Sequence, residues 1–187
     1  MAVRDLAAAA GVPPERIHVL HPWVPAAALA GAPAVGRPGG TERPLRIVSV
    51  GRLVEKKGHA TLVEACAILR DRGIDVHATI AGEGPLRPDL ETRISRLGLR
   101  DRVDLRGGVP EAEIAGLLRD ADLFVLACTI GRDGDRDGMP VAIAEAMAAG
   151  LPVVSTTLEG IEELVRPVTG TLGPPDDPAA LADSIAR

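Results

Sequence analysis

Residues 137–156 read DGMPVAIAEAMAAGLPVVST, and they join an acidic loop, a helix pattern and an apolar strand in one short stretch. The pattern predicts a helix from Pro140 to Ala149, because proline suits the first helical position and Gly150 provides a stop. Pro152 to Ser155 then reads as a short strand of the kind that is buried on both faces. A helix followed at once by such a strand is typical of a sheet with parallel strands.

The same alternation of helices and apolar runs extends in both directions from this stretch. The predicted strands are Leu45 to Val50, Asp75 to Ile80, Val103 to Arg106, Leu123 to Ala127 and Pro152 to Ser155. Further helices are predicted over Ala60 to Arg72, Leu86 to Leu97, Glu111 to Arg119 and Ile161 to Val165, with a last one opened by Asp177-Pro178. Strands that are apolar on both faces and separated by helices predict an α/β fold with a doubly wound parallel, Rossmann-like sheet.

Residues 1–44 have a different character. A helix pattern from Val3 to Ala10 is followed by a short apolar strand from Ile17 to Leu20, and an isolated strand of this length needs a sheet to join. Residues 21–40 crowd proline and glycine together without periodicity, which predicts a linker. We therefore expect residues 1–44 to be the remnant of a preceding domain with its hinge, and residues 45–187 to form one ligand-binding domain.

The composition excludes several classes of function. The formal net charge is −5 and the chain has no block of basic residues, which argues against nucleic-acid binding. Trp23 and Phe124 are the only aromatic residues, so recognition of a base or sugar cannot depend on ring stacking. Cys66 and Cys128 are too few and too far apart to suggest a metal cage. Since no run of about 18 apolar residues and no signal-peptide layout occur, we expect a cytoplasmic protein.

In a doubly wound sheet, ligands bind where the carboxyl ends of the strands meet the following helices. Functional residues are therefore expected in the loops that begin at Gly51, Gly82, Gly107, Thr129 and Thr156.

The first loop, residues 51–59, has the sequence GRLVEKKGH and supplies Arg52 and Lys57 next to a helix start. A guanidinium fork and a point cation beside a helix N-terminus suit a diphosphate. The alternative is that both are solvated surface cations with Glu55 as their partner. His59, at the helix start, is a weaker candidate for a functional role.

The second and third loops contain glycines that allow two interpretations. Gly82 and Gly84 in the second loop, residues 81–86, let the backbone approach a ligand closely, or they form a tight strand-to-helix turn. In the third loop, residues 106–109, Gly107 and Gly108 before Val109 either open space for a flat base or turn the chain into the next helix.

The fourth loop, residues 128–140, has the sequence CTIGRDGDRDGMP with aspartates at 133, 135 and 137. It does not match the calcium loop that ends in a bidentate glutamate, and Arg132 and Arg136 would repel a cation, so we predict that no metal binds here. The helix that follows is a better anion site. The amides around Gly138, Met139, Val141 and Ala142 would point, unpaired, at the cleft.

Glu145 lies about a turn and a half into that helix and can face the same cleft. There its carboxylate would accept hydrogen bonds from a vicinal diol. The alternative, a solvated helical glutamate, is disfavoured by its apolar neighbours Ala142, Ile143, Ala146 and Met147.

Taken together, these residues resemble the retaining glycosyltransferases of family 4 (glycosyl transferases group 1), which have the two-domain GT-B fold. The ordered matches cover residues 45–187, and GVPPERIHVL resembles the last helix and strand of that family's N-terminal domain. The matching segments are SVGRLVEKKG, IAGEGPL, RVDLRGGVP, ADLFVLAC, DGMPVAIAEAMAAGLPVVST, GIEELV and PPDDPAALADSI.

The resemblance implies specific roles for these residues. Arg52 and Lys57 would hold the diphosphate of a nucleotide sugar, and Glu145 the ribose hydroxyls. Asp137 takes the first acidic position of the family's motif and would contact the transferred sugar, helped by the amides of Gly138 and Met139. The other residues expected to contact the nucleotide are Gly82, Gly107 and Val109. Two positions depart from the family, which usually has Glu in place of Asp137 and often a small residue in place of Glu159.

The resemblance also implies transfer with retained configuration and without a bound metal, in polysaccharide or glycoconjugate synthesis. The partners expected are the nucleotide sugar and an N-terminal GT-B domain, in cis or in trans, through which the protein could attach peripherally to the inner membrane surface. On its own, the chain is expected to bind donor weakly and to transfer little. Two alternatives stay open: a nucleotide-sugar epimerase or hydrolase, for which His59 is the only histidine placed as a base, and a non-catalytic nucleotide-binding module.

Overall fold

A six-stranded sheet with only parallel neighbours forms the centre of the computed structural model, which describes residues 3–18, 23–24 and 43–187. Its strands lie in the order β3-β2-β1-β4-β5-β6. Their bounds are β1 Leu45–Val50, β2 Val76–Ala81, β3 Val103–Gly107, β4 Leu123–Val125, β5 Val153–Thr156 and β6 Gly170–Gly173. The strand order reverses between β1 and β4, so the carboxyl ends of these two strands are where a ligand cleft is expected.

The helices of the described residues are α1 Val3–Ala9, α2 His59–Asp71, α3 Arg87–Arg96, α4 Glu111–Asp120, α5 Val141–Ala148, α6 Ile161–Leu164 and α7 Pro178–Ile185. The same residues include single 3-10 turns at Pro14–Arg16 and Glu55–Lys57. Asp177 caps α7 as predicted, since its carboxylate accepts a hydrogen bond from the Ala180 amide at 2.9 Å. None of the helices among the described residues is long and apolar enough to cross a membrane.

Two hydrophobic clusters cover the two faces of the sheet. Successive strand residues point to opposite clusters, as Ile47 and Val48 do in β1. One cluster packs α2, α3 and α7 against the sheet, and the other packs α4, α5 and α6. The predicted doubly wound α/β fold is therefore confirmed.

One observed strand was not predicted, and two predicted elements have different bounds in the structure. The sixth strand, Gly170–Gly173, was not predicted from the sequence. The fourth strand ends at Val125 rather than Ala127. Pro140 is not the first helical residue: it has an extended backbone (φ −63°, ψ 118°) and its carbonyl accepts the Ile143 amide at 3.0 Å, so α5 begins at Val141. The other strand and helix bounds agree within one or two residues, as expected for helix ends.

The predicted strand Ile17 to Leu20 lies partly outside the described residues, and Ile17 and His18 belong to no regular element. Of the predicted linker, residues 21–40, only Trp23 and Val24 are described. Val24 packs, partly buried, against the cluster that contains α4, α5 and α6.

Candidate functional site

The first and fourth loops meet at the carboxyl ends of the adjacent strands β1 and β4. The Thr129 amide donates to the Lys56 carbonyl at 2.9 Å. Gly58 adopts φ 62°, and a Cβ there would lie 1.6 Å from the Ala127 carbonyl oxygen. Glycine is required at this position because both the backbone conformation and the close approach exclude a side chain. The fold therefore brings the predicted diphosphate loop and the acidic loop into direct contact.

Arg52 and Lys57 lie on this first loop in different environments. The stem of Lys57 packs over Gly51, and its side chain is only 15% exposed. The Arg52 side chain is exposed and has no hydrogen-bond or ion-pair partner among the described residues. The alternative in which Glu55 pairs with these cations is wrong, since Glu55 instead pairs with Arg132 at 3.1 Å.

Four residues form a lysine–aspartate cluster between the two loops: Lys56, Lys57, Asp135 and Asp137. Lys57 Nζ lies 2.6 Å from Asp137 Oδ2, while Lys56 Nζ lies 3.4 Å from Asp137 Oδ1 and 3.0 Å from Asp135 Oδ2. Asp137 is 14% exposed, so this ion pairing is partly shielded from water. Lys57 and Asp137 were both predicted as site residues, and the structure brings them together.

Lys56 was missed in the sequence interpretation. A signal was present, because the chain has only two lysines, these are adjacent, and every other permanent cation is an arginine. Two flexible ammonium groups on one short turn can divide their contacts between two partners. The structure places them on the same acidic loop.

Both arginines of the fourth loop also have carboxylate partners. The Arg132 side chain and backbone amide each lie 3.1 Å from the Glu55 carboxylate. Arg136 pairs with Glu159 at 3.3 Å, which gives a role to one of the two residues that depart from the family pattern. No three of the described His, Cys, Asp and Glu side chains form a group that could hold a metal ion. The prediction that the site works without a metal stays a prediction.

The start of α5 presents four backbone amides at the same edge of the sheet. The amides of Gly138, Met139, Val141 and Ala142 have no acceptor among the described residues. The turn after β5 supports this segment from behind, since a Cβ on Gly160 would lie 2.0 Å from the Gly138 carbonyl oxygen. Unpaired amides at a helix start favour an anion, as predicted, although Pro140 takes the cap position instead of the first turn.

Glu145, in α5, is half-buried and its side chain has no hydrogen-bond or ion-pair partner in the described part of the chain. Burial raises the pKa of its carboxyl group, and the negative charge of Glu111 at the start of α4 raises it further. The neighbours Ile143 and Ala146 belong to a buried apolar cluster, and Ala142 packs against that cluster. A partly buried carboxylate without a partner is costly, which favours the binding role over the solvated alternative.

Packing within the protein accounts for the glycines of the second and third loops. A Cβ on Gly82 would lie 1.9 Å from the Gly51 carbonyl oxygen, and the Gly82 amide already donates to Gly107 at 2.8 Å. Gly107 has φ 83°, and a Cβ on it would lie 2.8 Å from Glu83 Oε1. Tight turns therefore explain both glycines. Val109 is half-buried just before α4, and contact of the three residues with a nucleotide stays a prediction.

His59 lies beneath the first loop rather than in the cleft. Its side chain is 3% exposed, Nδ1 lies 3.4 Å from Ser49 Oγ, and Nε2 has no hydrogen-bond partner among the described residues. Burial lowers the pKa of the imidazole to about 4, and the nearby charge of Lys57 acts in the same direction. The burial of His59 argues against its use as the base that the epimerase or hydrolase alternative requires.

The sequence is similar to known glycosyltransferases. Residues 44–187 match the family described as Glycosyl transferases group 1. The chain is 47% identical over 146 residues to the amylovoran biosynthesis glycosyltransferase AmsK of Erwinia amylovora, covering 78% of this chain and 36% of AmsK. It is 35% identical over 152 residues to alpha-D-kanosaminyltransferase of Streptomyces kanamyceticus, covering 81% of this chain and 38% of that protein. The chain thus spans less than half the length of these relatives.

A solved structure gives the same result for the fold. The crystal structure of Anabaena Alr3699/HepE in complex with UDP and glucose superposes with a TM-score of 0.67 at 30% identity. The match covers 76% of this chain and 38% of HepE.

Proposed function

The chain belongs to the glycosyl transferases group 1 family, and from this premise we propose that it is the donor-binding half of a glycosyltransferase. This half binds a nucleotide-diphosphate sugar for transfer to an acceptor in polysaccharide or glycoconjugate synthesis. The observation that carries the proposal is the Lys57–Asp137 ion pair where the strand order reverses, with Arg52 on the same loop as Lys57 and the unpaired amides of α5 directly after Asp137 in the chain. HepE, which is similar over this domain, was crystallised with UDP and glucose.

The charges of the site suit a departing diphosphate. Negative charge accumulates on this group as the bond to the sugar breaks, so donors fixed in advance stabilise the transition state. Arg52 is free to approach the diphosphate as a fork, Lys57 supplies a point charge, and the amides at Gly138 and Met139 add the positive end of a helix. We propose that these groups do the work that a metal ion does in other transferases, and that the anomeric configuration is retained.

Asp137 is proposed to contact the transferred sugar, next to Lys57. It carries one methylene less than the glutamate that the family usually has at this position. The ion pairs of the lysine–aspartate cluster draw it toward β1, which supports a sugar bound close to the diphosphate. Glu145 is proposed to accept hydrogen bonds from the ribose hydroxyls, and Gly82, Gly107 and Val109 to lie on the nucleoside side.

Acceptor binding is proposed to come from a second, N-terminal GT-B domain, in the same polypeptide or as a separate partner. Closure of that domain would exclude water and complete the catalytic site. We accordingly expect the 187-residue chain to bind the donor but to transfer little sugar. Location in the cytoplasm, with peripheral attachment to the inner membrane surface through that domain, is part of the same proposal.

Calorimetric titration with UDP, GDP, ADP and TDP tests donor binding and identifies the base. Arg52→Ala and Lys57→Ala should each weaken the tightest of these ligands by about 1–3 kcal/mol, the value of a hydrogen bond to a charged group. Arg96→Ala is the matched control, because Arg96 is exposed on α3 and has no partner among the described residues. Unchanged affinity in both loop variants would overturn the proposal.

The ribose assignment has its own test. Glu145→Gln should weaken binding of the ribonucleoside diphosphate by about tenfold, because a charged acceptor is replaced by a neutral one. Binding of the matching 2′-deoxynucleotide should change much less, since one of the two hydroxyls is absent. An equal loss for both ligands would contradict the ribose role while leaving the diphosphate site intact.

A further inference from the structure

We propose that Lys56 is a positioning residue for Asp137, which it holds in place when Lys57 turns to the donor diphosphate. This inference rests on the proposed function of the site. It assigns different tasks to the two adjacent lysines, one facing the ligand and the other the protein.

The contacts of Asp137 are divided between the lysines. Lys57 Nζ lies 2.6 Å from Oδ2, and Lys56 Nζ lies 3.4 Å from Oδ1. Lys56 also contacts Asp135, at 3.0 Å, whereas among the described aspartates Lys57 contacts Asp137. Each oxygen of the Asp137 carboxylate thus has its own ammonium, and removal of one leaves the other in place.

The local backbone sets the two lysines apart. They lie on the 3-10 turn Glu55–Lys57, and the Lys56 carbonyl accepts the Thr129 amide at 2.9 Å. This bond fixes Lys56 against the fourth loop. The stem of Lys57 instead packs over Gly51, at the end of β1 and next to Arg52. Lys57 therefore reaches Asp137 from the side of Gly51 and Arg52, whereas Lys56 reaches it from the side of Asp135.

The need for Lys56 follows from the charges in the cleft. When Lys57 binds a diphosphate, Asp137 loses its nearest cation and faces a second anion, which repels it. Among the described residues, the other side-chain contact of Asp137 is the Cys128 thiol, at 3.8 Å from Oδ2. Burial raises the pKa of Cys128 to about 12, so it stays a thiol and a weak donor. In the described part of the chain, Lys56 is the remaining charged partner that can hold Asp137 beside the sugar.

A double-mutant cycle between Lys56 and Asp137 tests this assignment. The probe is the tightest-binding nucleoside diphosphate among UDP, GDP, ADP and TDP, titrated by calorimetry into the 187-residue chain. Lys56→Met should weaken binding by about threefold to tenfold, because Asp137 then competes more strongly for Lys57. Asp137→Asn alone should strengthen binding, because it frees Lys57. In the Asp137→Asn background, Lys56→Met should change the affinity by no more than about twofold.

Lys56→Arg keeps the positive charge, so this variant should bind the nucleotide with the affinity of the unmodified chain. Asp135→Asn is a control, because it removes the other carboxylate partner of Lys56. Melting temperatures of all variants separate a loss of fold from a loss of coupling. An equal loss in both backgrounds would mean that Lys56 binds the diphosphate itself, and no loss in either would mean that it is idle. Both results overturn the inference. Failure of the proposed function looks different, because the unmodified chain would then bind none of the four nucleotides.

Discussion

Replacement of Asp122 by asparagine is expected to destabilise the domain, because this carboxylate joins the segment before the sheet to the start of β4. The Asp122 side chain is 3% exposed. It accepts both Nη atoms of Arg43, at 2.7 and 2.8 Å, and the Arg46 amide, at 2.9 Å. Asparagine keeps the shape of the side chain but loses the charge and one acceptor.

The size of the effect follows from the pKa of the carboxyl group. Burial by itself raises this pKa, but the hydrogen bonds from Arg43 and Arg46 outweigh it and lower the pKa from 3.8 to about 2. A lowering of this size corresponds to about 2 kcal/mol of stability at neutral pH. Because the Arg43 side chain is 37% exposed, water screens part of the attraction. The expected loss for Asp122→Asn at pH 7 is therefore about 1–2 kcal/mol.

Urea unfolding followed by far-ultraviolet circular dichroism measures this loss, since the single tryptophan, Trp23, is exposed and a poor fluorescence probe. A carboxyl group with a lowered pKa stabilises the fold above its ordinary pKa and loses that effect as the pH falls from 3.8 toward 2. The difference between the variant and the unmodified chain should accordingly shrink below pH 4. Asp71→Asn, at an exposed aspartate paired with Arg70, is the control. A difference under about 0.5 kcal/mol at pH 7, or one that persists unchanged in acid, would refute the reasoning.

Three further outcomes are expected. Gly58→Ala should lower the free energy of unfolding in urea by more than about 3 kcal/mol, because a Cβ there would lie 1.6 Å from a carbonyl oxygen. Gly73 has φ 76° and open space around it, so Gly73→Ala should lower the same free energy by only about 1 kcal/mol. Similar losses in the two variants would contradict the packing argument. Because burial lowers the pKa of His59 from 6.5 to about 4, protonation favours the unfolded chain, and stability should fall by about 3 kcal/mol from pH 7 to pH 4. His59→Gln should remove most of this fall, and a slope retained in that variant would place its origin elsewhere. Burial raises the pKa of Cys66 and of Cys128 to about 12. A disulfide reagent at pH 8 should therefore modify neither thiol until urea unfolds the chain. Rapid reaction of the native protein would count against the burial of these thiols.

The parallel sheet could be predicted because its central strands are apolar on both faces. Ile47 and Val48 are neighbours in sequence and enter opposite hydrophobic clusters, which produces a continuous apolar run. The sixth strand has no such run, since Gly170–Gly173 contains one large apolar residue between glycines. Gly170 is needed there because a Cβ would lie 2.0 Å from the Val153 carbonyl oxygen. The close contact between β5 and β6 thus requires glycine, and glycine does not contribute to the apolar pattern by which a strand is predicted from sequence.

The sequence placed Arg52, Lys57 and Asp137 at one edge of the sheet, but it showed neither the ion pairs nor the part taken by Lys56. Arg52, Lys57 and Asp137 follow strands in a parallel sheet, so the rule for strand ends places them at one edge. The ion pairs depend on how two loops pack, and Lys56 lies 79 positions from Asp135. A contact between residues so far apart in the sequence cannot be predicted from a local sequence pattern. Pro140 also departs from its predicted place, because its extended backbone makes it the residue before α5 and not the first residue of the helix.

The contacts between the first and fourth loops bear on how this domain could be recombined with its relatives. Along the first loop the charges at positions 55, 56 and 57 run negative, positive, positive, and those of their fourth-loop partners, Arg132, Asp135 and Asp137, run positive, negative, negative. The two loops therefore match each other in charge, position by position. A chimera that takes a single loop from a relative with another charge order would set like charges face to face, whereas one that takes both together would keep the match.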